Sequence, residues 1–273
     1  MELTCTEPDP KDLHGRAQST AQMELRSVGL SSNSVIHFTK KKESLFGILQ
    51  EGFKVKYCRE EIILDGFIIK LHIPMISFCD IPFSKIKDHV SKYGGYGIGL
   101  SREWAIKNRL NPVLYIQGES SLAQSYRDLV GLLYHKETEE GLDQEFRRKA
   151  KDIARYIKNY EGPLTVDGVH YPKYRFSDER EWRYVPEFSD AFHMMYTSDQ
   201  FADETSEVAN SKVAHIRVDF SPDDVKYIII KDDEEISEIA AHVTASHSGN
   251  YTVAQQQKLM TRIITAEQIR TDF

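Results

Sequence analysis

Residues 35–53 read VIHFTKKKESLFGILQEGF, and the change of period inside this stretch decides the fold class. Val35-Ile36-His37-Phe38-Thr39 alternates and is rich in β-branched residues, which is a strand pattern. That alternation puts His37 and Thr39 on one face of the strand. From Lys42 the period lengthens: Leu45, Ile48 and Leu49 share a helical face, and Gly52 stands where a C-terminal cap is expected. A strand feeding a helix directly predicts mixed α and β structure.

Outward from this unit the same signals repeat. FKVKY and the apolar run that ends in MISFCD read as strands, and Pro82 opens a short helix, PFSKIKDHVSKY, at the first-turn position that proline favours. YGGYGIGLS is glycine-rich at its start and strand-like at its end. Ser101 is placed to cap the helix REWAIKNRL, with Glu103 in its first turn. Asn111-Pro112 ends that helix, and PVLYIQ is a further strand. Residues 119–160 are strongly helical and read as an inserted hairpin of helices. Strand patterns resume at EREWRYVP, KVAHIRVDF and VKYIII, and EEISEIAAHV is a late amphipathic helix. TASHSGNYT reads as a polar loop, and LMTRIITAEQIRTDF as a short strand and a helical turn. These elements predict one α+β domain over residues 33–273, a strongly bent mixed sheet with flanking helices and the insertion at 119–160. Residues 1–32, rich in proline and charge at the start, read as a disordered tail.

Composition excludes several classes. No run approaches the roughly 20 apolar residues that span a bilayer, since EIILDGFIIKLHIPMISF is broken by Asp65, Gly66, Lys70 and Pro74. The first residues lack the basic-then-apolar order of a signal peptide. Cys5, Cys58 and Cys79 are odd in number and widely spaced. They match neither a disulfide framework nor a metal knuckle, which predicts a reducing, cytoplasmic setting with no membrane association. A formal net charge of -7 argues against tracking nucleic acid over a broad surface. The basic runs at 40–42 and 147–149 read as solvated faces. No spacing of Asp, Glu, His or Lys suggests a metal site.

Four stretches invite a chemical reading. Ser34–Thr39 carries His37 and Thr39 on one face. Ser77-Phe78-Cys79-Asp80 is a buried-type strand that turns polar. Tyr93-Gly94-Gly95-Tyr96-Gly97-Ile98-Gly99 lets backbone approach a ligand. Asp178–Tyr184 places Glu179, Glu181 and Arg183 on one face if it is extended. Each has a plain structural counterpart: a histidine bonded to a neighbouring backbone, a glycine-permitted bulge, or the wet face of an edge strand.

Their order is more informative. VIHFTKKKESLFGILQEGFKVKYC, the long segment PMISFCDIPFSKIKDHVSKYGGYGIGLSREWAIKNRLNPVLYI, DEREWRYVP and the close at KYIII…TRIITAEQIRTDF together resemble the AbiGi family of abortive phage-resistance proteins. The resemblance covers most of residues 33–273 and implies a role in anti-phage defence or a toxin–antitoxin pair. The His-x-Thr strand, its following helix and a late strand glutamate are similar, more distantly, to DarT-type ADP-ribosyltransferases. That likeness implies a transferase-like fold with NAD as co-substrate and a protein or nucleic acid as acceptor. It would give His37 the ribose, Tyr96 or Tyr93 the nicotinamide, and Glu181 (or Glu179) the transfer step, with Thr39 and Ser77 also at the cofactor. The physical logic is that breaking the N-glycosidic bond creates an oxocarbenium-like cation that a nearby carboxylate stabilises. The antitoxin label of the AbiGi family implies the alternative, a non-catalytic protein that binds a toxin or phage-derived partner on the same fold.

Overall fold

The computed structural model describes residues 32–134, 144–246 and 251–272. Of the expected tail only Ser32 falls within them, and part of the polar loop near residue 248 also lies outside. The chain begins with β1 (Ser34–Thr39), α1 (Lys42–Glu51) and the short β2 (Phe53–Lys54), followed by a long hairpin of β3 (Lys56–Leu64) and β4 (Phe67–Cys79). Next come α2 (Phe83–Tyr93), β5 (Tyr96–Ser101), α3 (Arg102–Lys107), β6 (Asn111–Pro112) and β7 (Leu114–Ile116). The helices α4 (Ser121–Tyr134) and α5 (Gln144–Ala154) lead to β8 (Ile157–Asn159), β9 (Gly162–Val166) and β10 (Val169–Tyr174). A 3-10 turn, Phe176–Glu179, precedes β11 (Glu181–Tyr184) and β12 (Tyr196–Thr197). The last part holds α6 (Ser198–Glu204), α7 (Ser206–Val213), β13 (Arg217–Val218), β14 (Val225–Ile230), α8 (Ile236–Ser246), α9 (Val253–Met260), β15 (Ile263–Thr265) and α10 (Ala266–Asp272).

The opening unit forms as its period predicts. Leu45 and Leu49 are the buried face of α1, and the Gly52 N–H bonds the Ile48 carbonyl. Ser101 caps α3 by accepting from the Trp104 N–H. Pro82 stands at the N-cap of α2, one residue before the helix rather than inside it. Two strands are shorter than their pattern suggests. In KVAHIRVDF, α7 runs to Val213 and only Arg217–Val218 pair, with β2. In DEREWRYVP, Phe176–Glu179 closes a 3-10 turn, Arg180 adopts a left-handed conformation, and extension begins only at Glu181.

The main sheet is mixed and runs β15-β14-β5-β1-β4-β11-β6, with β3 and β12 also bonded to β4. Its ladders are antiparallel except β14 with β15. β4 is the hinge of the arrangement. Its first nine residues pair with β3, whereas Ile76–Cys79 pair with β11 and Cys79 stands opposite Ile36 of β1. Helices cover both faces. Val35, Phe78, Ile98 and Leu100 pack with α1, α3, α8 and α9 on one side. Ile36 and Ile229 pack with Ile86 and Val90 of α2 and Ile269 of α10 on the other. A third cluster joins the outer half of the β3–β4 hairpin to Ala123 and Tyr126 of α4 and Ala154 of α5.

Of the segment at 119–160, the helices α4 and α5 are therefore packed on the hairpin. Residues 135–143 of the expected helical insertion lie outside the described residues, and the segment ends in a strand. β8 pairs in parallel with β7, and the Asn159 side chain bonds both the N–H and the C=O of Ile63 at 2.7 and 2.8 Å. A side-chain amide here stands in for a neighbouring strand and locks β8 against β3.

Candidate functional site

Strand alternation assigns the candidate residues to faces. In an antiparallel ladder, paired residues point to the same side and successive residues to opposite sides. Ile36 pairs with Cys79, and Cys79 and Ser77 pair with Glu181 and Arg183. Ser77, Cys79, Glu181 and Arg183 thus share one face. His37 and Thr39 share the other with Ile98 and Tyr96.

On its face His37 is half-buried against aromatics, its ring 5.4 Å from that of Phe53 and 5.6 Å from that of Phe78. Its Nδ1–H donates to the Ser77 carbonyl at 2.8 Å. Burial pushes its pKa below the ordinary imidazole value, only partly offset by that bond, so a neutral ring is favoured. Tyr96 packs on the same core and donates to Glu235 at 2.8 Å, while Thr39 Oγ accepts from the Lys41 N–H. The expectation that His37, Tyr96 and Glu181 face a common pocket is therefore corrected: β4 lies between β1 and β11, and the sheet separates the histidine from the glutamate. The glycines near Tyr96 also answer to packing within the chain. Gly94, at φ +113, lets the end of α2 meet the backbone of Thr39, where a Cβ would stand 2.3 Å from the carbonyl oxygen. At Gly99 a Cβ would stand 2.8 Å from the ring of Tyr227, which fills the space left above the strand.

The opposite face holds a dense ion cluster. Arg183 is fully buried, and Glu181 and Glu179 are nearly so. Arg183 Nε donates to Glu181 Oε1 at 2.6 Å and Nη2 to Oε2 at 3.2 Å. The same guanidinium reaches Glu60 at 3.0 Å and the Arg155 carbonyl at 2.9 Å. Lys158, carried on β8, lies 2.7 Å from Glu181 and 3.5 Å from Glu179. Ser77 donates to Glu181 Oε1 at 2.9 Å, and Tyr93 donates to Glu179. The backbone is fixed too, with the Glu181 N–H donating to the Tyr115 hydroxyl and its carbonyl accepting from Val113.

Burial opposes ionisation of Glu181, but Arg183 and Lys158 outweigh it and hold the carboxyl well below the usual range. Burial likewise opposes charge on Lys158 and Arg183, and the surrounding glutamates more than restore it. Burial and the Glu179 carboxylate push the Tyr93 phenol far up, so it stays protonated and donates to Glu179. Each buried ion costs several kcal/mol to desolvate; each group of the cluster has an opposite charge within 3.5 Å, two cations serving three carboxylates, and the Tyr93 hydroxyl adds a neutral donor to Glu179. Above it opens a cavity of about 650 Å³ whose wall includes Glu60, Tyr93, Lys158, Asn159, His170 and Phe176.

Of the expected site residues, the structure brings together Ser77, Tyr93, Glu179 and Glu181, with Glu179 arriving from the 3-10 turn rather than from an extended strand. It leaves His37, Thr39 and Tyr96 behind the sheet. Lys158, Glu60 and Tyr115 were not anticipated. Alternating charge in EREWR marks Glu181 and Arg183, whereas nothing in IKN marks Lys158, which the parallel pairing of β8 delivers. Among the described residues, no group of three His, Cys, Asp or Glu is placed to hold a metal, and no helix is long and apolar enough to cross a membrane.

Fold and site together define an α+β protein with a mixed sheet between helices and a buried ion cluster on one face. The chain belongs to the AbiGi family: the family model described as "Putative abortive phage resistance protein AbiGi, antitoxin" matches residues 50–231. It is also similar to the abortive phage resistance protein AbiGi of Lactococcus lactis subsp. cremoris, 24% identical over 222 residues that cover 74% of this chain and 89% of that protein. No solved structure matches it. The family is one of anti-phage defence.

Proposed function

We propose that this protein acts in abortive phage resistance as a non-catalytic antitoxin that neutralises a toxin by binding it. What supports this reading is the state of Glu181. Both of its oxygens are taken by Arg183 and Lys158, and it points away from His37 across the sheet. A carboxylate accelerates N-glycosidic cleavage by offering charge to the developing cation. Here that charge is spent within the chain. Transfer of ADP-ribose from NAD would also require His37, Tyr96 and Glu181 around one substrate, and a strand lies between them. On this account the family relationship concerns defence and partnership, with the ion cluster maintaining the shape of the scaffold.

The test pairs two assays. Co-expression with its toxin should restore growth, and the two purified chains should form a stoichiometric complex whether or not NAD is present. In parallel, the protein incubated with labelled NAD and cell lysate should release no nicotinamide and label neither protein nor nucleic acid. Transfer of label by the wild type that disappears in Glu181→Gln would overturn the binding reading and restore the transferase one.

A further inference from the structure

β3 pairs along its length with β4 and with no other strand, so its backbone groups point alternately to β4 and away from it. What bonds the outward set identifies it. The Tyr57 N–H donates to the Asn210 side chain at 2.8 Å, and the Ile63 N–H donates to the Asn159 side chain at 2.7 Å. The Asp65 N–H donates to the Gly118 carbonyl. Arg59 and Glu61 fall between Tyr57 and Ile63 at the same two-residue spacing, so their N–H and C=O groups also point away from β4. Among the described residues nothing bonds those outward groups. An asparagine side chain thus closes the edge at either end, and one short window stays open.

That window opens on the cavity above the ion cluster. Arg59, Glu60 and Glu61 line the cavity together with Asn159 of β8 and Pro163 and Leu164 of β9, and its volume is about 650 Å³. A three-residue strand segment takes roughly 10 Å along the chain, 4.8 Å between strands and 10 Å through the side chains, or about 480 Å³. The space holds one added strand and not two. Arg59 and Glu61 are exposed, and standing two apart they share one side of β3.

We propose that this window docks an extended segment of a partner polypeptide, which joins β3 as a strand through the Arg59 and Glu61 backbone. The proposal rests on the antitoxin reading and deepens it: the partner is the toxin. Charge selects the segment. An added residue beside Arg59 is favoured acidic and one beside Glu61 basic, because opposite charges directly across a ladder stabilise it and like charges do not. The same two charges guard the edge against unspecific pairing. Backbone groups supply the attachment and side chains the choice.

The test is amide hydrogen exchange at single-residue resolution, on the free chain and on its purified complex with the toxin. In the free chain the Arg59 and Glu61 amides should exchange fast, while those of Glu60 and Ile62, which point to β4, are protected. In the complex the Arg59 and Glu61 amides should slow by about tenfold or more. Glu61→Pro removes an N–H that bonds nothing among the described residues, so the β3–β4 ladder is kept. It also deletes a docking bond and sets a ring where the added strand would lie, which should weaken the complex about tenfold or more. Glu61→Ala keeps the N–H and should weaken it by about fivefold at most. A complex in which both amides exchange as fast as in the free chain would overturn the docking proposal and leave the antitoxin reading standing. An undiminished complex with Glu61→Pro would do the same. Failure of the two chains to associate would overturn both. Protection in the free chain that grows with its concentration would assign the edge to a second copy of this chain, against the proposal.

Discussion

Replacing Glu181 by glutamine removes the carboxylate that both buried cations approach most closely, at 2.6 Å from Arg183 and 2.7 Å from Lys158. The amide keeps one acceptor oxygen, which can still take the Arg183 Nε–H, but its NH2 then faces a cation as donor against donor. Breaking a buried pair from one side costs about 3 to 5 kcal/mol. Glu60 still pairs with Arg183, and Glu179 remains near Lys158, so the expected loss lies near the lower figure, about 3 kcal/mol. In a chain of this length that lowers Tm by roughly 5 to 10 °C. Urea unfolding should show it as a lower midpoint at unchanged slope. The pH dependence supplies a second signature. The folded carboxyl titrates well below its ordinary range, so its contribution is full above the unfolded value of about 4.3. It is lost as pH falls through the folded value, because the unfolded state then binds the extra proton. The gap between wild type and variant should therefore close on acidification. A variant within about 0.5 kcal/mol of wild type at neutral pH, or a gap insensitive to acid, would refute the view that this cluster is structural.

The remaining expectations concern other parts of the fold. Lys158→Met combined with Glu181→Gln should cost less than the sum of the two changes, with a coupling of about 1 kcal/mol or more in a double-mutant cycle; strict additivity would mean that the pair does not interact. His37 is favoured neutral in the folded state, so stability should be full above about pH 6.5 and decline as pH falls below it. His37→Gln should flatten that decline, and an unchanged profile would assign the titration to another group. Gly94→Ala, with a Cβ 2.3 Å from the Thr39 carbonyl at positive φ, should destabilise by about 2 kcal/mol or more, read as a lower urea midpoint. Tyr115→Phe removes the acceptor of the Glu181 N–H and should cost about 1 to 2 kcal/mol; wild-type stability in this variant would mean that the N–H finds another partner.

Much of the architecture was legible in local pattern. The β1–α1 unit, the α3 cap at Ser101, the α2 segment after Pro82 and the helices within 119–160 follow from period and capping, which depend on residues within a few positions of one another. The alternation of EREWR correctly put Glu181 and Arg183 on one side, because a strand's faces are set by its own sequence. The shortened strand at KVAHIRVDF was less legible, since α7 extends to Val213 by burying Ala209 and Val213 in the core, a contact made by distant elements.

What the sequence determined by itself is the residue content of each face: His37 with Thr39, Ser77 with Cys79, and Glu181 with Arg183. Which of these faces look at one another was decided only by the tertiary structure. A strand's alternation carries no information about its partner's register, and here Ile36 opposite Cys79, with Cys79 opposite Glu181, turned His37 and Glu181 to opposite sides. The same holds for Lys158. Its place in the ion cluster comes from a parallel pairing of β8 with β7 and from an asparagine that bonds the backbone of β3, the latter joining residues 96 positions apart. Matching a buried charge requires partners from several elements at once, and only the folded chain brings them within a few ångströms.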